Sequence, residues 1–198
     1  MNLVLRSLAI LTLVSVVTFG TAQRLDTDPD FNHAQLASIA ARRQRVLPFI
    51  DTPLWNEAVV FAERALASDS DNPDILRFLA ETYADIYWFR QSLRRWQDLD
   101  AVTDLADEDR RGLIDAAQRV GFNYYLREDA TGALEFHELA LRQDPSNVHS
   151  NAWLGRLYLE LGEPVRAQPY WRFLLSENSN DRRAAYFLAL AEAAARSQ

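Results

Sequence analysis

Apolar residues recur at helical spacing through most of the chain, and the pattern they form repeats every 34 residues. The clearest correspondences join residues of the same type: Gly121 with Gly155, Tyr124 with Tyr158, and Ala133 with Ala167. The same step extends upstream and downstream through Ala58 and Ser92, Ala62 and Trp96, Leu154 and Leu188, and Gly155 and Ala189. A period near 34 residues is typical of a helix-turn-helix unit stacked on copies of itself.

Turn residues divide this pattern into helices. Thr52-Pro53 and Asn72-Pro73 each place a capping side chain before a proline at the first helical position, so a helix is predicted to begin at each. Other helices are predicted at about 31–47, where Pro48 ends the helix, over the segment that holds Ser92, Leu93, Trp96 and Leu99, and at about 109–127, 130–143, 147–161, 164–177 and 181–196. Tyr83 and Tyr124 are 41 residues apart, so we expect a seven-residue insertion at 101–109.

The repeating residues resemble the tetratricopeptide repeat, in which Leu-Gly is followed by Tyr, a small residue, an aromatic residue and another small residue. The matches are Leu79, Ala80, Tyr83, Ser92, Trp96 and Leu99 in the second unit, Val120, Gly121, Tyr124, Ala133, His137 and Ala140 in the third, and Leu154, Gly155, Tyr158, Ala167 and Trp171 in the fourth. The resemblance covers about 54–196. It implies an all-α, right-handed α-solenoid of three to four helix-turn-helix units with a C-terminal capping helix.

In this family the first helix of each unit lines a concave groove, which implies a set of binding residues here. Carried over, the groove positions are Arg77, Phe78, Glu81, Gln118, Arg119, Phe122, Tyr125, Ala152, Trp153, Arg156, Arg183, Tyr186 and Phe187. The positions that pack one helix on the next are Gly121, Tyr124, Ala133, Gly155, Tyr158 and Ala167. For any single groove aromatic, packing between helices is as good an interpretation as ligand contact.

The first 22 residues have the pattern of a secretory signal peptide. Arg6 precedes the uncharged apolar stretch Leu8 to Phe19, and Gly20-Thr21-Ala22 provides small residues for cleavage before Gln23. The alternative is an inner-membrane anchor formed by residues 3–19, although that stretch is short for a membrane span. We expect a linker at 23–30, which contains Pro29, and a repeat domain at 31–198.

Charge and composition exclude several classes of function. The net charge is −7, and removal of residues 1–22 would take away one further positive charge, which disfavours binding to nucleic acid. There is no Cys, so the fold has no disulfides and no lipidated Cys anchor. All 21 basic residues are Arg, which excludes lysine nucleophiles and lysine-dependent phosphate loops.

No arrangement of residues points to catalysis, a metal or another cofactor. His33, His137 and His149 lie in different units without metal-ligand spacing, and His137 takes an aromatic packing position of the repeat. No phosphate loop, nucleophile elbow or catalytic triad pattern is present. A non-enzymatic function without a cofactor is therefore expected.

The expected function is that of a protein-binding adaptor or scaffold in the periplasm, cell envelope or extracellular space of a bacterium. Its partner would be a protein or peptide, with contact to a membrane only if the N-terminal segment is retained as an anchor. The set of groove aromatics and Arg suits a segment with apolar anchors and a few acidic groups. Two alternatives are a glycan-binding envelope protein that uses exposed aromatics, and an architectural module in a larger assembly.

The export hypothesis predicts the mass of the protein in its native host. Intact mass spectrometry should give a chain that begins at or near Gln23, because the small residues before it form the cleavage site. A full-length chain recovered from washed membranes would instead identify residues 3–19 as an anchor.

Overall fold

The computed structural model describes residues 28–43 and 53–197, and this part of the chain is α-helical without strands. Its helices are α1 Pro29–Arg43, α2 Pro53–Ser68, α3 Pro73–Asp85, α4 Phe89–Val102, α5 Asp107–Tyr125, α6 Ala130–Gln143, α7 Val148–Glu160, α8 Pro164–Glu177 and α9 Arg182–Arg196. The prediction of an all-α helical repeat is confirmed. The proposed signal segment, most of the linker and the predicted end of the first helix at residue 47 lie outside the described residues.

Capping side chains set the starts of the helices. Asn72 accepts hydrogen bonds from the backbone N–H groups of Asp74 and Ile75, and Pro73 occupies the first turn, as predicted. Asp28 accepts from the N–H groups of Asp30 and Phe31 at 2.8 and 3.1 Å. The first helix therefore begins at Pro29, inside the segment predicted as a linker, because Pro29 starts the helix that Asp28 caps.

The helices stack as four pairs, α1/α2, α3/α4, α5/α6 and α7/α8, with α9 packed on the last pair. First helices of neighbouring units also contact one another, as α1 does α3, α3 does α5, and α7 does α9. Among the described residues, the second helices α2, α4, α6 and α8 make no comparable contacts with each other. The first helices are thus closer together and line the inner side of the curved stack.

Each first helix that leads into a described partner ends in the same left-handed turn. Tyr87, Glu128 and Gly162 have φ values of 64°, 62° and 73° after α3, α5 and α7. The next residue, for example Glu163, donates its N–H back to the carbonyl of the repeat tyrosine, at 2.8 Å for Tyr158. This helix ending satisfies the last carbonyl groups and reverses the chain within a few residues.

The paired helices approach most closely where a glycine faces an aromatic ring. A β-carbon on Gly155 would lie 2.6 Å from the indole of Trp171, and one on Gly121 would lie 3.1 Å from the ring of His137. Trp171 is 1% exposed, so its ring has little room to move. The small position of each unit is therefore filled by the aromatic residue of the paired helix.

The predicted insertion at 101–109 is wrong in its placement. Successive first helices begin at Pro73, Asp107, Val148 and Arg182, so the extra seven residues lie within the third unit. They lengthen α5, which has 19 residues against 13 in α3 and in α7. The added turns pack well, because a β-carbon on Gly112 would lie 2.5 Å from Trp96 and because acidic residues favour a helix start.

The core consists of two hydrophobic clusters that meet at the boundary between the third and fourth units. One extends from α1 to α6, and the other joins α7, α8 and α9. The boundary contains three buried polar side chains, those of His137, Ser150 and Asn151. Gln118 of α5 crosses it and donates to Asn147 at 2.7 Å and to Ser150 at 2.9 Å.

Replacement of Gly155 by Ala should destabilise the fold, although Ala is favoured over Gly in a helix by about 1 kcal/mol. The added carbon would meet the buried ring of Trp171, and overpacking of this kind costs about 1 to 3 kcal/mol. Urea denaturation should rank Gly155→Ala below Gly121→Ala, whose contact is less severe. Stabilisation by Gly155→Ala would show that this contact does not set the helix spacing.

Candidate functional site

Arg77 and Phe78, at the N-terminal end of the predicted groove, take part in packing. Arg77 donates to both carboxylate oxygens of Asp109, at 2.9 and 3.0 Å, and to Asp74 at 2.9 Å. The hydrogen bond to Asp109 raises the pKa of Arg77. Asp109 is 4% exposed, and Phe78 meets Phe31 edge-on at 5.4 Å. These contacts hold α3 against α5 and α1.

Trp153 is the centre of an aromatic cluster on the inner face of α5 and α7. Its ring lies 5.7 Å from Phe122 and 5.0 Å from Tyr125, both edge-on. The ring of His137 stacks on it at 5.4 Å with planes 8° apart. Trp153 is half-buried, while Phe122 is 41% exposed. The structure thus brings together three of the predicted groove residues.

Arg156 extends this cluster towards solvent. Its guanidinium lies over the rings of Tyr125 and Trp153, at 5.0 and 5.5 Å from their centroids. It donates to Glu160 at 2.8 Å and to the phenolic oxygen of Tyr125. These contacts orient Arg156 at the inner surface and partly neutralise its charge.

Arg119 and Tyr186 lie on either side of the cluster. Arg119 is exposed, pairs with Asp115 at 3.4 Å and lies 5.4 Å from the ring of Phe89. Tyr186 of α9 is 64% exposed and contacts Phe187 edge-on at 5.3 Å. Tyr186 is therefore the most accessible aromatic residue among the predicted groove positions.

The six positions predicted to pack the repeats are mostly inside the protein. Gly121, Ala133, Gly155, Tyr158 and Ala167 are buried, and Tyr124 is half-buried against Phe136, with ring centroids 5.1 Å apart. The hydroxyl of Tyr158 donates to Glu138 at 2.7 Å. Burial and this hydrogen bond raise the pKa of Tyr158.

His137 is fully buried beneath Trp153, and neither of its ring nitrogens has a hydrogen-bond partner among the described residues. Burial, with a smaller effect of nearby His149, lowers the pKa of His137 to about 4. The folded protein therefore holds this ring neutral. Its role here is to support the indole of Trp153, which agrees with the packing position it occupies in the repeat.

Sequence reasoning missed one row of ionisable residues along the inner face. Asp115, His149 and Arg183 are separated by steps of 34 and occupy the second position of α5, α7 and α9. Arg183 was among the predicted groove residues, but its relation to the other two was not recognised. The regular spacing is a signal in the sequence, whereas the proximity of their charges required the fold.

Other kinds of site have less support in the structure. In residues 28–43 and 53–197, no group of three His, Asp or Glu side chains could hold a metal ion. None of the helices in those ranges is sufficiently long and apolar to span a membrane. An open depression of about 470 Å³ lies between α2 and α4 on the outer side, but its Arg95 is already paired with Glu63 and Asp98, both at 2.8 Å.

The sequence matches no family model and no curated protein. Among solved structures, it is similar to YrrB, which is described as a TPR protein with an unusual peptide-binding site. The TM-score is 0.52 at 14% identity, over 96% of this chain and 85% of that one. It is also similar to MamA, with a TM-score of 0.50 at 15% identity over 83% and 80% of the two chains. At these identities the likeness establishes the architecture, so the chain has the tetratricopeptide-repeat fold.

The buried state of His137 predicts a loss of stability in acid. Because the folded protein disfavours the protonated ring, the unfolded chain binds more protons between about pH 6.5 and pH 4. Stability from this residue is complete above pH 6.5 and falls by about 2 to 3 kcal/mol as the pH drops through that window.

The matched measurement is urea denaturation of the wild type and His137→Leu from pH 7.5 to 4.5. The variant lacks the titrating group, so its stability should rise relative to the wild type as the pH falls. A difference that stays constant over this range would show that His137 is not held neutral.

Proposed function

We propose that this tetratricopeptide-repeat chain is a non-enzymatic adaptor of the bacterial cell envelope or periplasm, which binds a peptide or protein segment on its inner face. The observation that carries the proposal is the surface formed by Phe122, Tyr125, Trp153, Arg156 and Tyr186. It combines exposed aromatic area with oriented Arg, and residues of these types contribute most of the energy in protein interfaces. This set of residues is hereafter the groove cluster.

Pre-organisation of the groove cluster supports binding of a protein segment. Trp153 is fixed by His137 below it and by Phe122 and Tyr125 at its edges, so little side-chain freedom remains to be lost on association. The exposed faces and edges of Phe122 and Tyr186 offer contacts for apolar side chains. The alternation of apolar and charged groups suits a short segment with a few anchors.

The glycan-binding alternative is less well supported by the same geometry. Stacking of a sugar requires an open aromatic face, but one face of Trp153 is covered by His137, and Arg156 lies over the ring. A protein segment can instead use the edges of the rings and the guanidinium group. Binding to polysaccharide preparations from which protein has been stripped would favour the glycan alternative.

Export to the envelope is a separate part of the proposal. It rests on the charged, apolar and small-residue pattern of residues 1–22 and on the absence of Cys. The non-enzymatic role rests on the interaction surface and on the lack of a catalytic motif in the sequence.

Tyr186→Ala tests the binding surface with little risk to the fold, because Tyr186 is 64% exposed. If the inner face binds, this variant should capture crosslinked partners from the native host about 5- to 100-fold more weakly, the loss expected for an interface anchor of about 1 to 3 kcal/mol. Its thermal melting should remain close to that of the wild type.

Val165→Ala is the matched control, since Val165 is also 64% exposed but lies on the second helix α8. It should leave the captured proteins unchanged. If Val165→Ala reduces capture and Tyr186→Ala does not, the partner binds the outer face and the proposal is wrong.

A further inference from the structure

The row formed by Asp115, His149 and Arg183 places basic groups side by side at the C-terminal end of the inner face. Contacts between α7 and α9 bring their first turns together, and Arg183, Asp115 and Arg119 all lie near enough to His149 to influence its titration. Two guanidinium groups and one imidazole are therefore balanced by one carboxylate. The local charge is opposite in sign to the net charge of the chain.

Arg183 differs from the other inner-face cations in its partners. Arg77 is paired with Asp109, Arg119 with Asp115 and Arg156 with Glu160. Among the described residues, Arg183 has no ion-pair partner within 4 Å. It also lies in the first turn of α9, where the helix dipole disfavours a positive charge. Its guanidinium is thus available to an anion from outside the chain.

Apolar contact area lies one helical turn from each basic residue of this end. Tyr186 follows Arg183 by three residues on α9, and Trp153 follows His149 by four residues on α7, with ring centroids 6.3 Å apart. Residues three or four apart share one face of a helix. A ligand that contacts Arg183 and His149 can therefore place an adjacent apolar side chain against Tyr186 or Trp153.

We propose that His149 and Arg183 form a carboxylate-binding subsite, so that the bound segment carries an Asp or Glu side chain next to an apolar or aromatic anchor. This inference rests on the proposed function, because it identifies the chemistry of the segment that the groove cluster holds. Arg183 supplies the permanent positive charge. His149 supplies a second hydrogen-bond donor that gains charge when it is protonated.

The subsite makes binding dependent on pH. Partial burial lowers the pKa of His149, and Arg183 and Arg119 lower it further, whereas Asp115 opposes them. The neighbouring ring of His137 on α6 is neutral near pH 7. A ligand carboxylate beside His149 would raise its pKa, so the complex takes up a proton and binding should strengthen as the pH falls from 8 to 6.

The experiment uses a random 12-residue peptide library displayed on phage and selected on the full chain at pH 6. The enriched peptides should contain Asp or Glu beside an aromatic or large apolar residue. Synthetic versions should bind Arg183→Glu at least about tenfold more weakly than the wild type. Arg142→Glu, an equal charge change at an exposed site on α6, should bind as the wild type does. Replacement of the acidic residue in the peptide by its amide should remove the difference between the wild type and Arg183→Glu.

The pH dependence provides a second readout. Affinity of the acidic peptides should increase several-fold between pH 8 and pH 6 for the wild type but not for His149→Gln. Circular dichroism melts at both pH values show whether each variant is folded. A flat pH profile in the wild type would contradict the role of His149 even if Arg183 proves necessary.

The remaining outcomes separate the two proposals. Enriched peptides without acidic residues that still require Tyr186 would overturn the carboxylate subsite and leave the binding surface in place. Peptides that bind Tyr186→Ala and Arg183→Glu equally well would overturn both proposals, since they would occupy another surface. Absence of enrichment would likewise count against both.

Discussion

The structure depends on the close approach of paired helices at a glycine that faces an aromatic ring. At Gly155 and Trp171 there is no space for even one additional carbon, and Gly121 faces His137 in the preceding unit. These contacts fix the distance between the two helices of a unit. Because the first helices also contact each other while the second helices do not, the same spacing produces a curved stack with an inner face. The binding surface is therefore a consequence of how the units pack.

The boundary between the third and fourth units connects this packing to the groove cluster. Here the apolar core is interrupted, and polar side chains take its place: Gln118 joins α5 to the start of α7, and His137 lies beneath Trp153. A buried neutral histidine tolerates this position only while it remains unprotonated, so the aromatic platform of the inner face is sensitive to acid. His149, which is exposed on the same face, titrates without that structural cost.

The period of the sequence was sufficient to predict the helices, their pairing and the residues that pack them. It was not sufficient to place the additional seven residues, because acidic residues at 107–109 are compatible with either a loop or a helix start, and the contact of Gly112 with Trp96 exists only in three dimensions. The use of each groove residue was also hidden. Arg77 and Arg156 have equivalent sequence signals, yet Arg77 is paired with buried Asp109, whereas Arg156 lies over exposed aromatic rings. Partners from distant units decide such differences, and a repeat pattern does not contain them.

The central claim is that a partner binds the inner face rather than the outer one. The most direct test is a photo-activated crosslinking amino acid placed singly at two positions in the native host. Position 122 lies on the inner face and position 102 borders the outer depression, and the native side chains there, Phe122 and Val102, are 41% and 42% exposed. The structure predicts that illumination crosslinks a protein partner at position 122 and not at position 102. Crosslinks at position 102 alone would contradict the account and assign binding to the outer depression.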